Sequence, residues 1–305
     1  MEEKISKSAF CEDSRVKFPT LMHLMGMGFK YVSLKGLKTK YVIAPKTEFD
    51  PLTNILTDYF TEAYNKLNPN VENEAAGKLL AKIQSSLMND DLGRQFYNEI
   101  LLNTGERIID LSSPANFYKN NTFQVTTEMT CGDKDNDNYR PDITLFVNGL
   151  PLAFIEVKKE NNHKGILAET DRMKQRFVNP KYRRFLNLTQ IMVFSNDMEY
   201  DNNEVTPTIG AFYATIGKKN TKYNCFREEG QDSFPIERHI RQVTLQEEEI
   251  LLRDSNVPQY KNSSEYKTNC LANTPTKRMC DSLFSFNPNR SLGASKLWPT
   301  VFFSR

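Results

Sequence analysis

Three residues that can do chemistry lie at the ends of one predicted β-hairpin, RPDITLFVNGLPLAFIEVKK (140–159). Asp142 opens its first strand, whereas Glu156 and Lys158 close its second. Two carboxylates on neighbouring strands, with the backbone carbonyl of Val157, are hard oxygen ligands that suit Mg²⁺, and Mn²⁺ accepts the same ligands. A bound metal would activate water and polarise a phosphodiester, while the lysine would stabilise charge on the phosphate. The pattern therefore predicts a metal-dependent hydrolytic site with Asp142, Glu156 and Lys158 as catalytic residues.

The register of this hairpin decides whether the carboxylates meet. The dipeptide Asn-Gly at 148–149 is a strong signal for a hairpin turn. A two-residue loop would pair Val147 with Leu150 and send the carboxylates to opposite faces. A three-residue loop would pair Phe146 with Leu150 and place both carboxylates and the lysine on one face. The functional interpretation predicts the three-residue loop, while the alternative is that the charges are merely solvated strand ends.

The remaining periodicity predicts an α/β (α+β) domain with a mixed central sheet flanked by helices and with an N-terminal helical part. Apolar residues recur at helical spacing in the first third of the chain, and β-branched residues alternate later. The expected helices cover 52–67, 71–88, 91–105 and about 165–177, and the expected strands cover 106–111, 121–130, the hairpin, 189–194 and about 212–217.

The composition is that of a globular protein and excludes several classes. The 305 residues are 39% hydrophobic and 26% charged, with a formal net charge of +2, which argues against disorder. No apolar run approaches the roughly 18 residues of a membrane-spanning helix, so we expect no membrane association. The five cysteines are dispersed without a Cys-x-x-Cys pair, which argues against a zinc site or a disulfide framework and favours the cytoplasm.

The hairpin segment strongly resembles the N-terminal nuclease region of the R subunits of type I restriction enzymes, which has the PD-(D/E)xK nuclease fold. The likeness runs from about residue 10 to 245 and includes LNPNVENEAAGKLL, NTFQVTTEMT and NLTQIMVFSND. It implies a restriction-endonuclease-like core in which Asp142 and Glu156 bind the metal and Lys158 is the catalytic lysine. The segment CEDSRVKFPTLMHLMGMGFKY looks like the first helix of the family, whose Glu12 would support the site.

The chain departs from the family pattern in two places. The family often carries Gln-x-x-x-Tyr on the helix after the lysine, and the matching positions here hold Met173 and Phe177. R subunits continue into an ATP-driven translocase, yet no phosphate-binding loop of the type G-x-x-x-x-G-K-[ST] occurs in this sequence. We therefore expect a nuclease domain at 1–245 and a linker with the truncated start of the translocase region at 246–305. ATP would serve only the missing translocase part.

A basic segment follows the hairpin and is a candidate DNA-binding surface. Residues 158–185 contain nine Lys or Arg against three Asp or Glu, and such a patch beside a metal site would hold phosphates. The alternative is a solvated helix face. The predicted DNA-binding residues are Lys159, Lys164, Arg172, Gln175 and Arg176.

The sequence thus predicts the Mg²⁺-dependent endonuclease domain of a type I restriction enzyme R subunit, which cuts DNA non-specifically within the full complex. Its partners would be duplex DNA and the methylation and specificity subunits. One alternative is a catalytically silent DNA-binding or docking module of the same fold. Another is a stand-alone nuclease of the same superfamily, which would dimerise and cut without partners.

Overall fold

The structure is a computed structural model that describes residues 12–38, 40, 42–72, 74–102, 105–131, 139–158, 165–196, 211–215, 224–225 and 242–254. The strands in this part of the chain are β1 (Lys30–Tyr31), β2 (Leu37–Lys38), β3 (Ile43–Ala44), β4 (Phe123–Thr127), β5 (Ile143–Val147), β6 (Leu150–Val157), β7 (Ile191–Ser195), β8 (Ala211–Thr215) and β9 (Asn224–Cys225).

These strands form a mixed sheet, which confirms the predicted fold class. Seven of them pair in the order β1-β4-β5-β6-β7-β8-β9, and β2 and β3 form a separate two-stranded sheet. The pairs β1/β4 and β6/β7 are parallel, and the other pairs of the large sheet are antiparallel. Strands β5, β6 and β7 are buried along their whole lengths, as expected for central strands that are covered on both faces.

Helices cover the sheet on both sides. The helices of the described residues are α1 (Phe18–Gly26), α2 (Thr57–Leu67), α3 (Ala75–Ser86), α4 (Pro114–Asn120), α5 (Gly165–Val178), α6 (Arg183–Leu188) and α7 (Leu245–Asp254), with π-helical turns at Asp13–Lys17 and Phe96–Leu101 and a 3₁₀ turn at Pro180–Tyr182. Helix α4 begins where Ser113 accepts a hydrogen bond from the Asn116 N–H and Pro114 occupies the first helical position.

Successive residues of β6 enter different cores because side chains alternate along a strand. Ile155 and Val157 belong to the main core. Phe154 belongs to a second core, together with Met173 of α5 and Phe185 of α6. Glu156 therefore points to the same side of the sheet as Phe154, toward α5 and α6.

The hairpin turn differs from the predicted three-residue loop. Val147 pairs with Leu150 around a two-residue turn, in which Asn148 and Gly149 both have positive φ. A bulge then shifts the register, because Phe146 pairs with Pro151 but Leu145 pairs with Ala153. The extra residue lies next to a proline, which has no N–H for the ladder. The carboxylates share a face through this bulge rather than through a longer loop.

The prediction of a strand at 106–111 is wrong. Ile108 and Ile109 are buried, which explains the apolar pattern, but the backbone is irregular there. The N–H of Asp110 bonds the side-chain oxygen of Asn121, and the Asp110 carboxylate accepts from Ser112 and Asn120. Side chains take the hydrogen bonds that a neighbouring strand would have made.

The other expected elements are present with shifted boundaries. The helix expected at 52–67 begins at Thr57, because the Asp50 carboxylate captures the N–H of Leu52 and the hydroxyl of Thr53 in a turn. The helix expected at 91–105 is π-helical over Phe96–Leu101.

The division of the chain at residue 245 stays a prediction. In the described residues, α7 begins at that position and places Leu251 in the main core. Its Asp254 accepts a hydrogen bond from the hydroxyl of Tyr31 at 2.8 Å. None of the helices in the described part of the chain is long and apolar enough to cross a membrane.

Candidate active site at the end of the hairpin

The structure brings the three predicted catalytic residues together at the open end of the hairpin. Ile143 pairs with Ile155, so one further step along the ladder places Asp142 opposite Glu156. The Asp142 Oδ2 atom accepts a hydrogen bond from the Val157 N–H at 2.9 Å. Lys158 Nζ lies 3.9 Å from the same oxygen. We call Asp142, Glu156 and Lys158 the strand-end cluster.

The ammonium of Lys158 is held by several oxygen atoms. It donates to the Val157 carbonyl at 2.8 Å and lies 3.8 Å from Glu169 Oε2 on α5. The backbone of the same residue is fixed by a hydrogen bond from its N–H to the Ser195 carbonyl of β7. The ammonium therefore donates a hydrogen bond to the Val157 carbonyl, which the sequence analysis predicts as a metal ligand.

The Glu156 carboxylate is almost fully buried, with 4% of the residue exposed. Its Oε1 accepts a hydrogen bond of 2.7 Å from the hydroxyl of Tyr139. Burial raises the pKa of Glu156 well above its ordinary range, and the charges of Asp142 and Glu169 raise it further. The Tyr139 hydrogen bond and Lys158 oppose these effects. A buried carboxylate beside two others is a place where a cation is favourable.

Glu12 lies beside this cluster, at the position that the resemblance assigns to a supporting carboxylate. Burial raises the pKa of Glu12, the Lys158 charge lowers it and the Asp142 charge raises it. Glu12 is therefore close enough to both residues for electrostatic interaction. Its role in supporting the site stays a prediction.

Lys17 is a site residue that sequence reasoning missed. It is 3% exposed, and its Nζ lies 2.6 Å from Asp13 Oδ1, 3.1 Å from Glu128 Oε1 and 3.7 Å from Asp142 Oδ1. Burial alone would lower the pKa of Lys17, but these carboxylates outweigh burial and raise it. Lys17 thus carries a permanent charge behind Asp142. Its position four residues after Asp13, on a helical segment, was the signal available.

Glu169 is a second missed residue and, like Lys17, it makes three ion pairs beside the cluster. It is 1% exposed and pairs with Arg172 at 2.9 Å and with Arg176 at 2.7 Å, in addition to Lys158. The sequence pointed to a role for Glu169 only in that this acidic residue lies within a basic helix. The three cations compensate a carboxylate that would otherwise be costly to bury.

The predicted DNA-binding residues take different positions. Arg172 and Gln175 are exposed on α5, whereas the Arg176 side chain is only 21% exposed. The Arg176 guanidinium lies 4.0 Å from the centroid of the Tyr139 ring. Lys159 and Lys164 lie outside the described residues. Contact between these side chains and DNA stays a prediction.

The two positions that match the Gln-x-x-x-Tyr motif of the family hold apolar side chains that pack in the second core. Met173 is fully buried in the second core, and Phe177 packs against that core. Neither side chain can supply the polar contacts of the family motif. Around α5, the polar contacts to the cluster come from Glu169 and, through it, the two arginines.

The donor chemistry of the cluster fits Mg²⁺ or Mn²⁺. The described part of the chain contains no group of three or more His, Cys, Asp and Glu side chains that is arranged to hold a metal ion. The cluster differs from such a group, since it offers two carboxylates and a backbone carbonyl. A metal here would use the carboxylates of Asp142 and Glu156 and the Val157 carbonyl, with water completing the shell. The observation in favour of this fit is a buried Glu156 carboxylate on the ladder position opposite Asp142. Burial first, and then the charges of Asp142 and Glu169, raise the pKa of Glu156, and a divalent cation would offset both.

The mixed sheet, the helices on both faces and the acidic strand-end cluster with its lysine define a protein of the restriction-endonuclease-like fold class. Residues 10–205 match the family of type I restriction enzyme R protein N-terminal regions. The chain belongs to this family. No curated protein matches the chain significantly.

The raised pKa of Glu156 predicts a pH-dependent effect on stability. The unfolded chain loses this proton near pH 4.5, whereas the folded protein retains it to a higher pH. The free energy of unfolding therefore falls as the pH rises from 4.5 to the raised folded-state pKa, and it stays lower above that pKa. Glutamine is neutral, has the same shape and still accepts from Tyr139. We expect Glu156→Gln to melt at least about 2 °C above the wild type at pH 8 in EDTA, which corresponds to about 1 kcal/mol, and the two to converge near pH 4.5.

Asp110 provides a control of opposite sign in this experiment. Burial raises its pKa, but hydrogen bonds from Ser112 and Asn120 outweigh burial and lower it. Its ionised form therefore stabilises the fold above pH 3.8, and Asp110→Asn should melt below the wild type at pH 8. A Glu156→Gln protein that is also less stable at pH 8 would contradict the electrostatic account of the cluster.

Proposed function

We propose that this chain is the Mg²⁺-dependent endonuclease domain of a type I restriction enzyme R subunit. The observation that carries the proposal is the register after the bulge, which sets Asp142 opposite Glu156 with Lys158 3.9 Å from Asp142. Two carboxylates and an ammonium at the open end of a buried hairpin form a reaction centre for phosphodiester hydrolysis that needs no serine, cysteine or histidine nucleophile.

Asp142, Glu156 and the Val157 carbonyl would hold the metal. When bound, Mg²⁺ supplies a water of lowered pKa and polarises the scissile phosphate. Asp142 is oriented for this task because the Val157 N–H fixes its Oδ2. Glu156 is oriented by the hydroxyl of Tyr139.

Lys158 would donate a hydrogen bond to the phosphate oxygen on which negative charge grows. Its ammonium is pre-positioned by the Val157 carbonyl and by Glu169. A cation that is fixed before the reaction stabilises this charge without reorganisation. Lys17, behind Asp142, keeps its own proton and balances the charge of that carboxylate.

Duplex DNA is the substrate in this proposal, and cleavage is not specific in sequence. The exposed residues Arg172 and Gln175 of α5 would contact the phosphate backbone, together with Lys159 and Lys164. The partners are the methylation and specificity subunits and an ATP-driven translocase, and the complex acts in the cytoplasm. The proposed substrate, partners and location rest on membership of the R-protein family.

Two alternatives make different predictions for the isolated chain. A silent docking module would be favoured by a register that separates the carboxylates, whereas the observed ladder leads to Asp142 opposite Glu156. A stand-alone nuclease of the same fold would dimerise and cut DNA without partners. Metal binding separates the first alternative from the proposal, and cleavage by the isolated chain separates the second.

Calorimetric titration of Mn²⁺ and Mg²⁺ into the full chain tests the proposal. We expect one site that Asp142→Ala weakens at least about 10-fold, because the variant removes one of the two carboxylate ligands. Asp171→Ala is the matched control, since that carboxylate is exposed on α5 and pairs with Lys174. Equal binding by the wild type and Asp142→Ala, or binding by neither, would favour the silent module.

A further inference from the structure

A set of polar side chains lies behind the strand-end cluster and touches two of its members. It consists of Tyr139, Glu169 and Arg176, which we call the Arg176 network. The Tyr139 residue is 3% exposed, and its hydroxyl donates to Glu156 Oε1 at 2.7 Å. The Tyr139 ring is itself fixed by edge-on contacts with Phe154, Tyr182 and Phe185. Tyr139 thus sets the orientation of the Glu156 carboxylate from a rigid position.

The second contact of the network is with Lys158. Glu169 Oε2 lies 3.8 Å from Lys158 Nζ, and the carboxylate is 1% exposed. The Val157 carbonyl accepts from the same ammonium, and Asp142 Oδ2 lies 3.9 Å from it, so oxygen atoms from three different residues surround Lys158 Nζ. The position of Glu169 therefore affects where the lysine charge lies.

Arg176 joins these two contacts. Its guanidinium donates to Glu169 Oε1 at 2.7 Å and lies 4.0 Å from the Tyr139 ring centroid, within the range of a favourable cation–π contact. The same group also contacts the Met173 sulfur at 3.3 Å. One side chain therefore holds the residue that orients Glu156 and the residue that orients Lys158.

We infer that Arg176 is a positioning residue that couples the orientation of Glu156, through Tyr139, to that of Lys158, through Glu169. The inference rests on the proposed function and deepens it. It also assigns to Arg176 a role other than the DNA contact that its position in a basic helix predicts. A guanidinium that is 21% exposed and bonded to Glu169 has little freedom to bind a phosphate.

The loss of either link should weaken metal binding, because partners that orient a metal ligand typically contribute about 10–100-fold to metal affinity. We expect Tyr139→Phe and Arg176→Gln each to weaken Mn²⁺ binding about 10-fold in calorimetry of the full chain. Tyr139→Phe keeps the packed ring and removes one hydroxyl, so it should keep the wild-type melting temperature within a few degrees. The double variant should bind no more weakly than about the worse single variant, because the two residues act as one unit.

Matched controls separate positioning from a general effect on the fold. Tyr59→Phe removes a hydroxyl from a tyrosine of α2, whose ring lies against Lys30 rather than in the network. Lys174→Gln removes a charge from the exposed side of α5, where Lys174 pairs with Asp171. Both should bind Mn²⁺ within about twofold of the wild type. Arg176→Lys keeps a cation between Glu169 and the ring and should recover part of the affinity that Arg176→Gln loses.

The outcomes distinguish the inference from the proposed function on which it rests. If Asp142→Ala loses the metal but Tyr139→Phe and Arg176→Gln bind like the wild type, the positioning role is overturned and the metal site stands. If the wild type and Asp142→Ala bind equally or not at all, the proposed site fails and the positioning role fails with it. Weakened binding in both network variants, with intact controls, supports the inference.

Discussion

The variant Gly149→Ala should lose about 2–5 kcal/mol of unfolding free energy. Gly149 has φ +77°, a conformation that costs a residue with a Cβ roughly 1–2 kcal/mol. An added Cβ would lie 2.5 Å from the Leu56 carbonyl oxygen and 2.8 Å from the Phe60 nitrogen. Both contacts are backbone atoms at the start of α2, and overpacking of this kind costs a further ~1–3 kcal/mol. The hairpin turn therefore has no room to accommodate the change.

Urea unfolding at pH 7 measures this loss, and Gly77→Ala is the matched control. Gly77 lies exposed within α3, and a Cβ there meets nothing within 4 Å. Alanine in a helix interior is about 0.5–1 kcal/mol better than glycine, so this variant should be slightly more stable than the wild type. If Gly149→Ala unfolds at the same urea concentration as the wild type, the close docking of the turn on α2 is wrong.

The strand-end cluster could be predicted from the sequence, but the β-bulge that places its two carboxylates on one face was not predicted. The Asn148-Gly149 turn, the buried strands and the charges at their ends follow from local patterns. The bulge does not, because a two-residue turn alone separates Asp142 from Glu156. Pro151 was the local signal, since a proline in a central strand is found at bulges. The predicted common face was right, while the predicted loop length was wrong.

The side chains around the cluster could not be predicted from local patterns. Lys17, Tyr139 and Glu169 reach the cluster from three separate elements, so their contacts depend on tertiary packing rather than on spacing in the sequence. The apolar run Ile108–Ile109 shows the same limit, since burial in an irregular segment gives a strand-like pattern. Family resemblance supplied Glu12, for which the sequence alone had no spacing argument.

The largest functional effect should come from Lys158→Met, which we expect to lower the rate of DNA cleavage about 10²–10³-fold. Removing one fixed donor from a developing oxyanion typically has an effect of this size. Methionine keeps the length of the side chain but not the charge. Metal affinity should not fall, because the variant leaves Asp142, Glu156 and the Val157 carbonyl in place and removes a cation 3.9 Å from Asp142.

The control for this variant is Lys174→Met. Lys174 is a lysine of the neighbouring basic helix, exposed and paired with Asp171, so its loss changes the net charge by the same amount without touching the cluster. Cleavage within about twofold of the wild type is expected for this control. A comparison of the two variants therefore separates a local role of Lys158 from a general effect of positive charge on DNA binding.

The claim that the strand-end cluster is the centre of a nuclease is tested most directly by single-turnover cleavage of plasmid DNA. The chain is assayed within the assembled restriction complex, with Mg²⁺ and ATP, at saturating protein. We predict metal-dependent cleavage by the wild type and by Lys174→Met, and a rate about 10²–10³-fold lower for Lys158→Met. Cleavage by Lys158→Met at the wild-type rate would contradict the account and move the nuclease centre away from Asp142, Glu156 and Lys158.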